Sequence, residues 1–179
     1  AFNLMATNDA HPKVEKQWLG RLPYSDGLTL QNDAVQRRRE GKMPDTVYML
    51  EHDPVYTIGR TNDHSSLNKE STPLPYPVFE TNRGGKATYH GPGQLVGYPV
   101  IDLRSYGQDL HTYLRSIERA LVDSCRKFGV EGTTRKGLTG VWCEERKMAS
   151  IGIGVRHWIS MHGFAINVCG DLAPFEHIT

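Results

Sequence analysis

The segment RGGKATYHGPGQLVGYPVIDL, residues 83–103, sets Arg83, Lys86 and His90 among Gly84, Gly85 and Gly91. Glycine is used where the backbone needs positive φ, or where another group must approach the main chain closely. Beside a guanidinium and an imidazole, such a stretch suits a pocket wall built from main chain. The same residues would also serve a set of tight turns or a bulge. Two nucleotide chemistries do not fit. A phosphate-binding P-loop needs a glycine where this chain has Glu80, and Ser or Thr where it has Ala87. GPGQLVG opens an expected strand rather than a helix, which is the wrong context for a dinucleotide fingerprint. A histidine metal site is also disfavoured, because His90, His157 and His162 fall on separate segments without local ligand spacing.

These residues need a scaffold, and the chain is long enough to bury a core. Its 179 residues fit one domain, or one domain with an appendage. Twenty-one Lys and Arg against twenty Asp and Glu give a net charge of +1, so nothing in the total argues for nonspecific nucleic-acid binding. Three cysteines, Cys125, Cys143 and Cys169, form no C-x-x-C pair. They read as reduced thiols of a cytoplasmic-type compartment. No apolar run reaches bilayer-spanning length, so no membrane segment is expected. Residues 1–12 read as a flexible N-terminal arm without a signal-peptide pattern.

A helix is expected over 25–40, with Ser25 as N-cap and Gly41 as stop. Strands are expected at 46–52, 54–60, 77–82 and 94–103, with a polar, proline-rich loop over 61–77. The strongest helical pattern covers 108–128. Leu110, Tyr113, Leu114, Ile117, Leu121, Ser124, Cys125 and Phe128 form its apolar stripe, with Arg115, Glu118, Arg119, Asp123 and Arg126 off it and Gly129 as stop. GVWCE, KMASIGIGVRHWI and SMHGFAINV read as three antiparallel strands. Strands with two helices and no strict βαβ alternation predict an α+β domain, with helices packed on mixed or antiparallel sheet.

Taken in order, RGGKATYHGPGQLVGYPVIDL, GVWCEERKMASIG and MHGFAINV-x-x-DLAPFEHI resemble the octanoyltransferases of protein lipoylation. The resemblance runs from about LGRLPYSDGLTLQ (19–31) to the last residue. Lipoate and biotin ligases share that α+β fold, with a different glycine motif. The resemblance implies transfer of an octanoyl group from acyl carrier protein to a lysine of a lipoyl domain or of the glycine-cleavage H protein. It implies a cysteine–lysine pair, an acyl-thioester intermediate and no cofactor. Its substrate-binding glycine segment corresponds to Arg83, Gly84, Gly85, Lys86, Ala87, Thr88, Tyr89 and His90. Its catalytic lysine corresponds to Lys147. Two further binding segments correspond to Ser150, Ile151 and Gly152, and to Gly163, Phe164 and Ala165.

The chemistry suits such residues. A cysteine nucleophile splits thioester-to-amine transfer into two easier steps. A lysine takes the thiol's proton only if burial or a nearby cation lowers its pKa. Backbone amides in a glycine-lined slot suit the thioester oxygen. In the family the nucleophile follows DL-x-x-F-x-x-I in an apolar-x-Pro-Cys-Gly segment, whereas this sequence ends DLAPFEHIT at Thr179. The catalytic domain is therefore expected over 13–179 with its C-terminal part missing, and the chain as given is expected to lack turnover. Neither Cys143 nor Cys169 matches the nucleophile position. An ATP-dependent ligase and a noncatalytic acyl-binding module are the alternatives. An acidic carrier protein calls for a basic entrance, for which Arg37, Arg38, Arg39, Arg83, Lys86 and Arg156 are candidates.

Overall fold

The computed structural model describes residues 13–67 and 73–179. The expected arm at 1–12 and part of the expected loop at 61–77 lie outside the described residues. The fold begins with a unit that the sequence pattern hides. Strand β1 (Glu15–Leu22), helix α1 (Tyr24–Arg39) and strand β2 (Thr46–His52) form a βαβ unit, with β1 parallel to β2. β1 carries no apolar alternation because it is an edge strand. Most of its residues are exposed, and Trp18 is 58% exposed. This is a single βαβ unit, and the sheet it joins is otherwise antiparallel, in keeping with the expected lack of strict βαβ alternation.

β2 continues into a six-stranded sheet of order β1-β2-β6-β9-β8-β7. Its other members are β6 (Gln94–Val100), β7 (Val141–Cys143), β8 (Arg146–Arg156) and β9 (Ile159–Asn167), all paired antiparallel. The turn between β8 and β9 is His157–Trp158, both at positive φ (53° and 62°), as a tight hairpin requires. A second sheet holds β3 (Val55–Ile58) between β4 (Val78–Glu80) and β5 (Thr88–His90). The last turn of 3-10 helix, Ala173–His177, rests on this sheet. There Tyr56 Oη donates to Pro174 O at 3.0 Å.

The two helices cover opposite faces of the large sheet. Ala34 and Val35 of α1 pack with Leu50, Val96, Val100, Met161 and Ala165. Ile117 and Leu121 of α2 (Leu110–Arg126) pack with Val141, Ala149, Phe164 and Ile166. Phe164, Ala165 and Ile166 are consecutive, so their alternation between clusters reflects the two-residue period of β9. α1 starts at Tyr24 after Pro23 rather than on a Ser25 cap, because Ser25 Oγ donates to the Asp26 side chain instead. Asp109 caps α2, accepting from the N–H groups of His111 and Thr112. The expected α2 stripe is corrected at both ends and in the middle. Leu110 at the first turn is 38% exposed and Phe128, beyond the helix, 84% exposed, while Glu118 is 1% exposed. Glu118 tolerates burial because its carboxylate accepts from Gly140 N and from Arg115.

Candidate active site

The loop from β4 to β5 carries Arg83–Ala87 over the middle of β8, and a cleft of about 110 Å³ opens between the loop and the central residues of β8 and β9. The sequence-predicted residues come together here with one exception. Arg83 through Thr88 and His90 form one wall, Lys147, Ser150, Ile151 and Gly152 come from β8, and Gly163, Phe164 and Ala165 come from β9. Tyr89 faces the other way. It joins an aromatic cluster with Tyr56, Tyr76 and Phe175, as alternation along β5 dictates. Tyr24, Val96, Tyr98 and His162 also line the cleft.

Main chain packs against main chain around this loop. A Cβ on Gly59 would lie 1.9 Å from Gly85 O, and one on Gly152 would lie 2.7 Å from Gly84 O. Glycine at 59 and 152 is therefore a condition of the wall's position, and Gly84 N donates to Ile153 O at 2.9 Å. Gly84 itself differs. A Cβ there would meet only Ile153 O at 3.5 Å, an ordinary contact, so the fold does not demand its bare main chain.

Arg83 clamps the loop from below. Its guanidinium donates from Nε and Nη2 to Thr57 Oγ1 (3.1 and 2.8 Å), from Nη2 to Thr57 O (2.6 Å) and from Nη1 to Gly84 O (2.9 Å). At 7% exposed it is a buried cation, and its pKa is lowered by that burial. Its inclusion among surface steering residues is corrected, because it is buried with its donors on Thr57 of β3 and on Gly84 O of the loop.

The imidazoles near the cleft are neutral and oriented. Gln94 Nε2 donates to Tyr89 O (3.1 Å) and Asn167 Oδ1 (2.9 Å), which leaves its Oε1 to accept from His90 Nδ1 at 2.7 Å. Burial brings the His90 pKa down to about 3 and the His162 pKa to about 4. His162 donates from Nε2 to Asn82 Oδ1 at 2.6 Å. His52 donates from Nδ1 to Leu22 O (2.9 Å), so its Nε2 accepts from Tyr98 Oη at 2.6 Å. That chain fixes the Tyr98 ring in the cleft wall.

Lys147 stands at the cleft margin near the start of β8. Its side chain is exposed over much of its surface, yet partial desolvation lowers its pKa from the usual lysine value. The direction is the one a proton-accepting lysine needs.

The lipoyl protein ligase A/B catalytic domain matches residues 23–179. The chain belongs to this family. It is 49% identical over 160 residues to an octanoyltransferase of Geobacter sulfurreducens, covering 89% of this chain and 66% of the relative. It is 48% identical over 165 residues to an octanoyltransferase of Syntrophotalea carbinolica, covering 92% and 76%. The chain thus spans about two thirds to three quarters of the length of these curated relatives. Its fold resembles that of a putative lipoate protein ligase from T. acidophilum, with TM-score 0.73, 17% identity, and coverage of 93% and 72%. It also resembles a lipoate-protein ligase A bound with ATP, with TM-score 0.67, 18% identity, and coverage of 92% and 75%.

Within this family fold the cysteines sit away from the cleft wall. Cys125 is buried on α2, Cys143 is half-buried in β7 and Cys169 is exposed after β9. Of the remaining basic candidates Arg39 is exposed, and the other four have partners. Arg37 pairs with Asp33, Arg38 with Asp45 and Asp102, and Lys86 with Asp63, while Arg156 donates to Asn32 Oδ1 at 3.4 Å. Among the described residues no group of three or more His, Cys, Asp or Glu could hold a metal ion, and no helix is long and apolar enough to cross a membrane. Sequence reasoning missed Thr57, Gly59 and Tyr98. Only a buried-strand pattern marked their segments, and it does not say which strand residue meets a loop from another sheet.

Proposed function

We propose that this cleft holds an octanoyl thioester and that Lys147 carries protons in octanoyl transfer, from acyl carrier protein to a lysine of a lipoyl domain or of the glycine-cleavage H protein. The observation that carries the reading is the meeting of three separate segments around one cleft. The glycine loop, Ser150–Gly152 and Gly163–Ala165 surround it, with the desolvated Lys147 at its edge. The octanoyltransferase relatives supply the acyl group and the reaction class.

The chemistry runs in two balanced halves. Neutral Lys147 takes the proton of a cysteine thiol. The thiolate attacks the thioester carbonyl, the bond to the carrier sulfur breaks, and the ammonium returns the proton to that sulfur. In the second half the acceptor amine attacks the new thioester, Lys147 takes the amine's proton, and the enzyme thiol leaves with it. The cysteine belongs to the segment that follows DL-x-x-F-x-x-I in the family. Thr179 N donates to Ser66 O at 3.0 Å, and Ser66 Oγ accepts from Ala87 N of the cleft wall at 3.2 Å. A segment continuing from Thr179 would start beside the cleft.

A cleft of about 110 Å³ is smaller than the roughly 150 Å³ cavity that encloses benzene. An eight-carbon chain would therefore extend beyond it, or open it further. The test is binding of octanoyl-pantetheine to the 179-residue chain, followed by addition of an acceptor domain and of ATP. Saturable thioester binding without ATP-dependent adenylate supports the reading. Failure to bind the thioester refutes it, and adenylate formation from octanoate and ATP moves the chain to the ligase class.

A further inference from the structure

Lys147 is held more closely than a lysine near a strand end needs to be. It pairs with Trp142 across β7 and β8, so the two side chains leave the sheet side by side. Nζ lies 5.3 Å from the centroid of the Trp142 ring, within cation–π range. Trp142 is 6% exposed, and its backbone is pinned by Thr133, with N-to-O distances of 2.7 and 2.8 Å. Gly140 forms a further wall. A Cβ there would lie 2.5 Å from Lys147 Cε and 3.3 Å from Nζ. Gly140 N donates to Glu118 Oε1 at 3.1 Å, and the other Glu118 oxygen accepts from Arg115 Nη1 at 2.5 Å. A buried carboxylate on α2 thereby fixes the turn that lies against the lysine.

We propose that Trp142 is a positioning residue for Lys147, its ring face holding the ammonium form at the cleft while Glu118, through Gly140, keeps the turn against it. This rests on Lys147 being the proton carrier of the proposed transfer. The family resemblance gives roles here to Lys147 and to Ser150–Gly152, and the roles of Glu118, Gly140 and Trp142 come from the geometry.

Burial and the ring act in opposite directions. Desolvation favours the neutral amine, while the ring's negative face favours the ammonium. The balance lets the lysine both take and return a proton. Other charged or titratable groups share its surroundings. Arg83, Lys86, His90 and His162 line the same cleft, and Arg146 precedes it in β8. Glu118 stands behind Gly140. The Arg135 guanidinium carbon is 5.3 Å from the same ring centroid, and Arg135 pairs with Glu145 at 2.9 Å.

The experiment titrates Lys147 by NMR in the lysine-labelled 179-residue chain, its signal assigned by its loss in Lys147→Ala. Trp142→Leu should lower the Lys147 pKa by about half to one pH unit, and Trp142→Phe by less. Uniform incorporation of increasingly fluorinated tryptophan, in a Trp18→Phe/Trp158→Phe background, should give a graded fall with no change in ring size. Equal effects of Phe and Leu overturn the proposal, as does a pKa indifferent to fluorination or one that rises in Trp142→Leu. The fluorination series needs no variant at 142, so an unfolded Trp142→Leu leaves the question decidable. The readout is also independent of turnover. A responsive pKa in a chain that binds no octanoyl thioester sinks the functional reading alone, and thioester binding with an unresponsive pKa sinks this inference alone.

Discussion

Gly84→Ala separates the needs of the fold from those of a ligand. The added methyl meets only Ile153 O at 3.5 Å, and Gly84 is not among the glycines at positive φ. The fold has room for it. Restricting the unfolded chain should even contribute about 0.4–1 kcal/mol of stability. The cleft should respond differently, because the methyl sits on a wall against which an acyl thioester would press. Overfilling a packed site costs about 1–3 kcal/mol. At about 1.4 kcal/mol per tenfold, that is roughly a 5- to 150-fold weaker dissociation constant. Gly152→Ala is the contrast, since its Cβ would lie 2.7 Å from backbone Gly84 O and must displace the loop itself. The assays are thermal unfolding and calorimetric binding of octanoyl-pantetheine. Gly84→Ala should unfold at or slightly above the wild-type temperature while binding weakly, and Gly152→Ala should lose both. Wild-type affinity in Gly84→Ala refutes the assignment of that open wall to the ligand, and a large loss of stability refutes the packing argument.

Lys147→Ala should abolish octanoyl transfer in a chain continued through the family's cysteine segment, with circular dichroism and unfolding temperature little changed. Near-normal transfer, followed by mass spectrometry of the acceptor domain, would remove Lys147 from the mechanism. Thr57→Val removes an acceptor of two Arg83 bonds at almost constant volume and leaves buried guanidinium N–H groups unpaired. It should cost about 1–3 kcal/mol in urea unfolding, with Thr57→Ser largely restoring stability. Stability should also fall in acid. His90 and His162 are depressed from 6.5 to about 3 and about 4, so the folded state binds fewer protons than the unfolded state. Their contribution is fully present above about pH 6.5 and is lost as pH falls through the folded values. A urea midpoint flat between pH 6.5 and 4 would contradict it.

Much of this architecture was legible because its signals are local. The β7–β8–β9 meander announces itself through alternating small and branched residues. α2 does so through its apolar spacing and the Gly129 stop. What was not legible depends on partners distant in sequence. β1 has no apolar face because it is an edge strand, and it gains order from β2, on the far side of α1. Glu118 is polar at a buried position because of Gly140, twenty-two residues later. Tyr89 lies within the glycine motif yet leaves the cleft, since the two-residue period of β5 turns it toward Tyr56 and Phe175. The motif identified the segment, and strand alternation decided which of its side chains reach the site.

The charge distribution in the cleft bears on the kind of reaction it suits. Among the described residues no aspartate or glutamate lines it. Arg83 is buried there with its donors on a hydroxyl and carbonyls, which polarise toward a cation without cancelling its charge. The histidines are held neutral by burial and add no second cation. Such a site carries net positive potential in a partly dry environment. An anion that forms during reaction is favoured there over one already present in water, which must first be stripped of its hydration. A thioester enters uncharged and becomes an oxyanion only as a nucleophile adds to it. In the proposed transfer such a cleft would favour the tetrahedral intermediate over the bound substrate, and a difference of that sign is what lowers a barrier.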